Sequence, residues 1–169
     1  MADVSTAHLI SELSDHDVER VLQLVAERLV QEVGELAADN EEDAREIIAA
    51  SVSRYGSRSL SADDVAPAAV QPISLVQATL TLLADDPATE GMVRGAIADL
   101  SEETQMVVDP ITIAVVLVGL VAFLQTKFSL KVRRKAGKVD VDFSISKDSA
   151  SPETIKQVVT AVGRAASGS

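Results

Sequence analysis

The stretch FSLKVRRKAGKVDVDFSI, residues 128–145, decides the fold of the C-terminal third of the chain. Apolar and polar side chains alternate on both sides of Ala136-Gly137, and this period of two is typical of a β-hairpin. With Ala136-Gly137 as the turn, apolar residues face each other on one side: Val132 with Val141, Leu130 with Phe143 and Phe128 with Ile145. Opposite charges face each other on the other side: Arg133 with Asp140 and Lys131 with Asp142. Cross-strand pairing favours both sets, so the sequence predicts this hairpin in this register.

Helical patterns flank the hairpin on both sides. An isolated hairpin is only marginally stable in water, so its apolar face needs cover. An uncharged run, residues 110–124, precedes it after the helix-start signal Asp109-Pro110, and Ser151-Pro152 begins another helical pattern. The uncharged run is rich in β-branched residues, which favour strands, but its length and start signal favour a helix. We therefore predict a helix–β-hairpin–helix module over residues 109–169.

The preceding residues, 1–108, have the pattern of an acidic helical region. Apolar residues recur at helical spacing after two capping signals, Ser14 with Asp17 and Asn40 with Asp43. Two further helices are predicted, one over residues 72–84 and one starting at Asp86-Pro87. The predicted fold is thus α+β and mostly helical, with an acidic helical bundle followed by the helix–β-hairpin–helix unit. The sequence leaves open whether the two regions pack as one domain.

Charge is distributed unevenly along the chain, whose net charge is −11. Residues 1–109 contain 22 Asp and Glu against six Arg, whereas residues 110–169 contain four acidic and nine basic residues. Two interpretations stay open: solvated surfaces that differ in charge, or electrostatic complementarity within one chain or between chains.

The residues needed for most enzyme chemistry are scarce. With no Cys, the chain has neither disulfides nor thiol nucleophiles. Its two His, His8 and His16, show no pattern that would set a nucleophile against a base. Asp15-His16-Asp17 is better explained by helix capping than by metal binding, and the other acidic clusters lack the alternating ligands of a calcium loop. We therefore predict a non-catalytic protein without a cofactor or a metal site.

One basic cluster supplies the candidate partner-binding residues: Lys131, Arg133, Arg134, Lys135 and Lys138. Such a cluster could bind nucleic acid, anionic lipid or an acidic protein surface. The negative net charge disfavours nucleic acid, and three Phe, one Tyr and no Trp leave little aromatic surface for stacking bases. We expect an acidic protein surface, either of a partner or of this chain's own first half. An unpaired hairpin edge also invites strand addition, so homo-oligomerisation is a further expectation.

The uncharged run raises the question of a membrane. As a helix its 15 residues reach about 22 Å, against a hydrocarbon core of about 30 Å. A buried central helix is therefore favoured, with Gly119 and Ala122 allowing close packing, and membrane insertion of residues 110–126 is the alternative. The start, Met1-Ala-Asp-Val-Ser, lacks the features of a secretory signal, so we expect a cytoplasmic location.

Three stretches of the last third follow one another in a characteristic order: Asp109-Pro110-Ile-Thr, then QTKFSLKVRRKAGK at residues 125–138, then Ser151-Pro152. This series resembles the small effector-associated modules of bacterial conflict systems, over about 60 of the 169 residues. Such modules accompany proteases, TIR-like proteins or NTPases in defence and signalling loci. The resemblance implies an adaptor that contributes no catalytic residues. The predicted function is an interaction or assembly component of such a system, and the alternative is a membrane-acting protein.

Overall fold

The computed structural model describes residues 4–56, 59–100, 112–144 and 152–168. Within these ranges the chain forms seven α-helices, a short 3-10 helix at Ala62–Asp64 and a two-stranded antiparallel sheet. The helices are α1 (Thr6–Ser11), α2 (Asp15–Val33), α3 (Glu41–Tyr55), α4 (Pro72–Asp85), α5 (Glu90–Leu100), α6 (Ile113–Lys127) and α7 (Pro152–Ser167). The strands are β1 (Ser129–Lys135) and β2 (Lys138–Ser144). The predicted mostly helical α+β fold is confirmed.

Side-chain caps begin α2 and α3 where the sequence predicts them. The hydroxyl of Ser14 accepts a hydrogen bond from the Asp17 N–H at 3.2 Å. The Asn40 side-chain oxygen accepts one from the Asp43 N–H at 2.8 Å. Each bond satisfies one of the backbone donors that a helix start leaves without an intrahelical partner.

Two helix starts differ from the prediction. Residues 87–89 form a turn and α5 begins at Glu90. Asp86 nevertheless makes the bonds of the predicted cap: its side chain accepts from the Ala88 N–H and its carbonyl from the Glu90 N–H, both at 2.9 Å. Helix α6 begins at Ile113 and is capped by Thr112, whose side chain accepts from the Val115 N–H at 3.4 Å. The predicted signal Asp109-Pro110 lies outside the described residues.

Helix α6 is the centre of the hydrophobic core. Its buried residues are Val116, Leu117, Gly119, Leu120, Val121, Ala122, Phe123 and Leu124. It packs against α2, α3, α4 and α7, so the buried central helix predicted for the uncharged run is confirmed. A Cβ added at Gly119 would lie 3.4 Å from the Cβ of Ala26, which shows how closely α6 approaches α2. No helix within the described ranges is long and apolar enough to cross a membrane.

The two regions distinguished by sequence share one hydrophobic core in their described parts. Ion pairs also connect them, because Lys127 Nζ lies 3.2 Å from Asp86 Oδ2 and Arg134 is bonded to Asp43. Part of the charge asymmetry is therefore satisfied within the chain.

The hairpin has the predicted register. Leu130 pairs with Phe143, Val132 with Val141, Lys131 with Asp142 and Arg133 with Asp140. Ala136 and Gly137 form the turn with φ angles of 53° and 76°, as a type I′ turn requires. The predicted partner of Phe128, Ile145, lies outside the described residues, and Phe128 contacts the ring of Phe143 at a centroid distance of 5.3 Å.

Candidate protein-interaction surface

Four of the five predicted site residues lie on one face of the hairpin, because side chains alternate along a strand and paired residues share a face. Lys131, Arg133 and Lys135 project from β1, and Lys138 is the cross-strand partner of Lys135. All four are exposed. We call Lys131, Arg133, Lys135 and Lys138 the basic face.

The fifth residue, Arg134, points to the opposite side of the sheet and is engaged within the chain. Its Nε donates to Asp43 Oδ1 at 3.2 Å, and its Nη2 donates to Asp43 Oδ2 and to the carbonyl of Ala37 at 3.0 Å. The Asp43 side chain is only 10% exposed, and it also accepts from the Asp39 N–H at 2.9 Å. Arg134 therefore holds the hairpin against the start of α3.

The pKa values of this pair follow from the contacts. Burial by itself raises the pKa of Asp43. Three effects lower it by more: the hydrogen bond from Arg134, the hydrogen bond from the Asp39 N–H and the positive charge of Arg134. The net pKa of Asp43 is below its ordinary value, and the bond to Asp43 raises the pKa of Arg134. Both side chains are charged at neutral pH.

The two acidic residues of β2 bind an arginine from α3. Arg54 Nη1 lies 3.1 Å from Asp140 Oδ1, and Arg54 Nη2 lies 2.8 Å from Asp142 Oδ1. Arg133, with 70% of its side chain exposed, approaches Asp142 only to 3.9 Å. Within the described part of the chain, Lys131, Lys135 and Lys138 form no ion pair, so the cross-strand register leaves the basic face largely uncompensated.

The outer edge of β2 is partly covered by side chains of α3. In an antiparallel pair, alternate residues direct their N–H and C=O groups away from the partner strand. On β2 two of these groups are bound by side chains: the Val141 carbonyl accepts from Arg54 Nη1 at 3.0 Å, and the Phe143 N–H donates to the Tyr55 hydroxyl at 3.1 Å. The Tyr55 ring also contacts the Phe143 ring, with centroids 4.7 Å apart.

The outer edge of β1 is not covered by the described residues. The residues opposite the outward-facing positions of β2 are Leu130, Val132 and Arg134, so their backbone groups face outward from β1. None of these groups has a hydrogen-bond partner among the described residues. A groove of about 390 Å³ adjoins the start of this edge, with Glu32 and Val33 of α2 on one side and Ser129 and Leu130 on the other.

The other concave features are poorer candidates for chemistry. A groove of about 420 Å³ between α2 and α6 is lined mostly by apolar side chains, including Val30, Val115 and Val118. Within the described ranges, no three His, Asp or Glu side chains lie close enough together to hold a metal ion.

Sequence reasoning selected the basic residues but missed Arg54 and Tyr55. These two residues make the two edges of the sheet different, and they contact residues 86 to 88 positions away in sequence. The only local signal is their place in the last turn of α3, which does not indicate what they contact.

Comparisons with known proteins yield no relative: no protein-family model, curated protein or solved structure matches the chain. The resemblance of the last third to effector-associated modules stays a prediction.

Proposed function

We propose that this chain is a non-catalytic adaptor that binds a partner protein through the basic face and the open edge of β1. One observation carries the proposal: Arg54 and Tyr55 bind two outward backbone groups of β2, whereas the outward backbone groups of β1 have no partner in the described structure. Exposed strand edges are sites at which another chain adds a strand. A bacterial cytoplasm and a defence or signalling system are the proposed setting, on the strength of the resemblance.

The way the hairpin is held supports a binding role. Arg134 bonds to Asp43 at the start of α3, and Arg54 and Tyr55 hold β2 at the end of the same helix. The edge of β1 is therefore fixed before a partner arrives. A preorganised surface loses less conformational entropy on binding, which favours affinity.

The chemistry of the surface supports binding without catalysis. The basic face offers three lysines and one arginine on exposed strand positions, with no His or Cys beside them in the sequence. His8 Nε2 on α1 lies 3.5 Å from Glu12 Oε1 at the end of that helix, in a different part of the chain. Exposed cations of this kind steer an acidic partner and add specificity.

Membrane action by residues 110–126 is not proposed. The buried residues of α6, from Val116 to Leu124, form the centre of the core that α2, α3, α4 and α7 surround. Insertion of α6 into a bilayer would remove these side chains from the core and expose the helices packed on them.

The test replaces two residues at the hairpin tip, Lys135→Glu with Lys138→Glu. These residues face each other, so one like-charged pair replaces another and the fold is little affected. The matched control, Lys156→Glu with Arg164→Glu, makes the same charge change at exposed positions of α7.

The original chain, the tip variant and the control are each used to capture proteins from extracts of the source cells. We expect one protein to be retained by the original chain and the control and lost with the tip variant, and to bind the purified chain directly. A protein that binds all three chains equally, or none that binds, would refute the proposed surface.

A further inference from the structure

We infer that the open edge of β1 accepts an extended acidic segment of the partner as a third, antiparallel strand, in which acidic and apolar side chains alternate. This inference rests on the proposed function and names the chemistry of the partner.

The backbone sets the geometry of the added strand. Leu130, Val132 and Arg134 each present an N–H and a C=O to the outer edge, and the register fixes their spacing at every second residue. This row is complementary to the backbone of an extended chain. An antiparallel strand would exchange both bonds with each of these residues, and antiparallel pairing is slightly more stable per residue than parallel pairing.

The side chains of β1 set the sequence pattern of the added strand. On one face, Lys131, Arg133 and Lys135 would lie beside the incoming side chains, and opposite charges at neighbouring positions favour pairing. On the other face, the half-buried Leu130 and Val132 would contact apolar side chains. The incoming strand therefore alternates acidic residues with apolar ones.

The molecule contains one example of such a strand, which is β2 itself. The sequence KVDVDFS, residues 138–144, presents Asp140 and Asp142 on the face of Lys131 and Arg133. Its Val141 and Phe143 are buried on the other face. The proposed partner strand repeats this pattern on the second edge of β1.

A second copy of this chain fits the edge less well. Antiparallel pairing of β1 with β1 would bring Lys131, Arg133 and Lys135 against the same cations of the other copy, and like charges on adjacent strands are destabilising. On β2 the Val141 carbonyl and the Phe143 N–H are already bound by Arg54 and Tyr55, so β2 of another copy offers a less complete edge than β1.

Nucleic acid and anionic lipid also fit less well than a protein strand. Asp140 and Asp142 lie on the same face as the basic residues, and the whole chain carries a net charge of −11. A polyanion would meet these carboxylates and would leave the backbone groups of β1 without partners. An alternating strand satisfies both the cations and the backbone.

The probe is the peptide KVDVDFS, acetylated and amidated at its ends, added to the ¹⁵N-labelled full chain. We expect slower hydrogen exchange at the N–H groups of Leu130, Val132 and Arg134, with the amides of β2 staying protected. N-methylation of both peptide valines removes two of the three donors that would face β1 and should abolish binding. Changing both peptide aspartates to asparagine should weaken binding about fivefold, as two cross-strand charge pairs are lost.

Several outcomes would overturn the inference. Unchanged exchange at these three amides, or equal binding of the N-methylated peptide, would exclude strand addition. If dimerisation of the chain without peptide slows exchange at the same amides, the edge binds a second copy. A polyanion would be the ligand of the basic face if two results were obtained together. The peptide would protect none of the β1 amides, and duplex DNA or phosphatidylglycerol vesicles would bind the full chain and prevent peptide binding.

The capture experiment separates this inference from the proposed function. In one outcome, the capture experiment yields a partner that depends on Lys135 and Lys138 while the peptide leaves the β1 amides unprotected. That pair of results would support the proposed interaction surface and refute strand addition. Failure of both experiments would refute both proposals.

Discussion

The guanidinium of Arg134 on β1 donates to both carboxylate oxygens of Asp43, at the start of α3 and 91 residues earlier in the chain. The same carboxylate accepts from the Asp39 N–H, and the same guanidinium donates to the Ala37 carbonyl. One ion pair thus joins the hairpin, the α2–α3 connection and the first turn of α3.

Arg134→Met is expected to lower the free energy of unfolding by about 2 kcal/mol, because a nearly buried carboxylate loses its cationic partner. The value is below that for a fully buried pair, since 46% of the Arg134 side chain is exposed. Urea denaturation measures the change. Lys135→Met, which removes an exposed cation from the neighbouring position, should change stability by less than about 0.5 kcal/mol. Equal midpoints for the two variants would contradict the role given to Arg134.

Acid should weaken the fold through Asp43. Its pKa in the folded chain is below the ordinary value of 3.8, so its contribution is full above the unfolded pKa and is lost as pH falls through the folded pKa. Urea midpoints measured from about pH 5 down to about pH 2.5 should therefore fall less steeply for Asp43→Asn than for the original chain. Asp63→Asn serves as the control, at an exposed carboxyl. Parallel pH profiles for Asp43→Asn and the original chain would exclude this linkage.

Thr79→Val should stabilise the chain by about 1 kcal/mol. The Thr79 side chain is fully buried in α4, and its hydroxyl has no hydrogen-bond partner among the described residues, so the isosteric methyl removes a desolvation penalty. Thermal unfolding measures the difference. Thr81→Val, at an exposed position of the same helix whose hydroxyl donates to the Gln77 carbonyl, should not stabilise. A loss of stability in Thr79→Val would show that the hydroxyl is hydrogen-bonded after all.

Ala136→Asn should stabilise the hairpin by about 0.5–1 kcal/mol, because Asn accepts a left-handed conformation more readily than Ala. The φ of Ala136 is 53°. Gly137→Ala, at the next turn position with φ of 76°, should have the opposite effect. Denaturation midpoints of the two variants should therefore move in opposite directions, and movement in the same direction would argue against a type I′ turn.

Sequence reasoning succeeded where the determining interactions are local. The caps at Ser14 and Asn40 bond to N–H groups three residues away, and the hairpin register follows from alternation around a two-residue turn. It missed α1, whose six residues are too few to display a helical period. It also set the start of α5 at Pro87, because Asp-Pro favours a turn as well as a helix start.

The pairing of charges was predictable only in part. Lys131 and Arg133 lie opposite Asp142 and Asp140 as predicted, but both carboxylates bind Arg54, whose forked guanidinium reaches the two at once. Arg54 comes beside β2 only because α3 packs along the hairpin. Contacts between residues so distant in sequence depend on the tertiary arrangement, which no local pattern encodes.

The position of Arg54 and Tyr55 across the outer edge of β2 bears on how many strands one molecule can take up. If the described residues leave only the edge of β1 to accept a strand, each chain has a valency of one and ends a sheet without linking two neighbours into a ribbon. Open-ended edge-to-edge growth is the route by which exposed strands lead to aggregates. The two α3 side chains would thus keep the proposed complex at one partner strand per adaptor and its size finite.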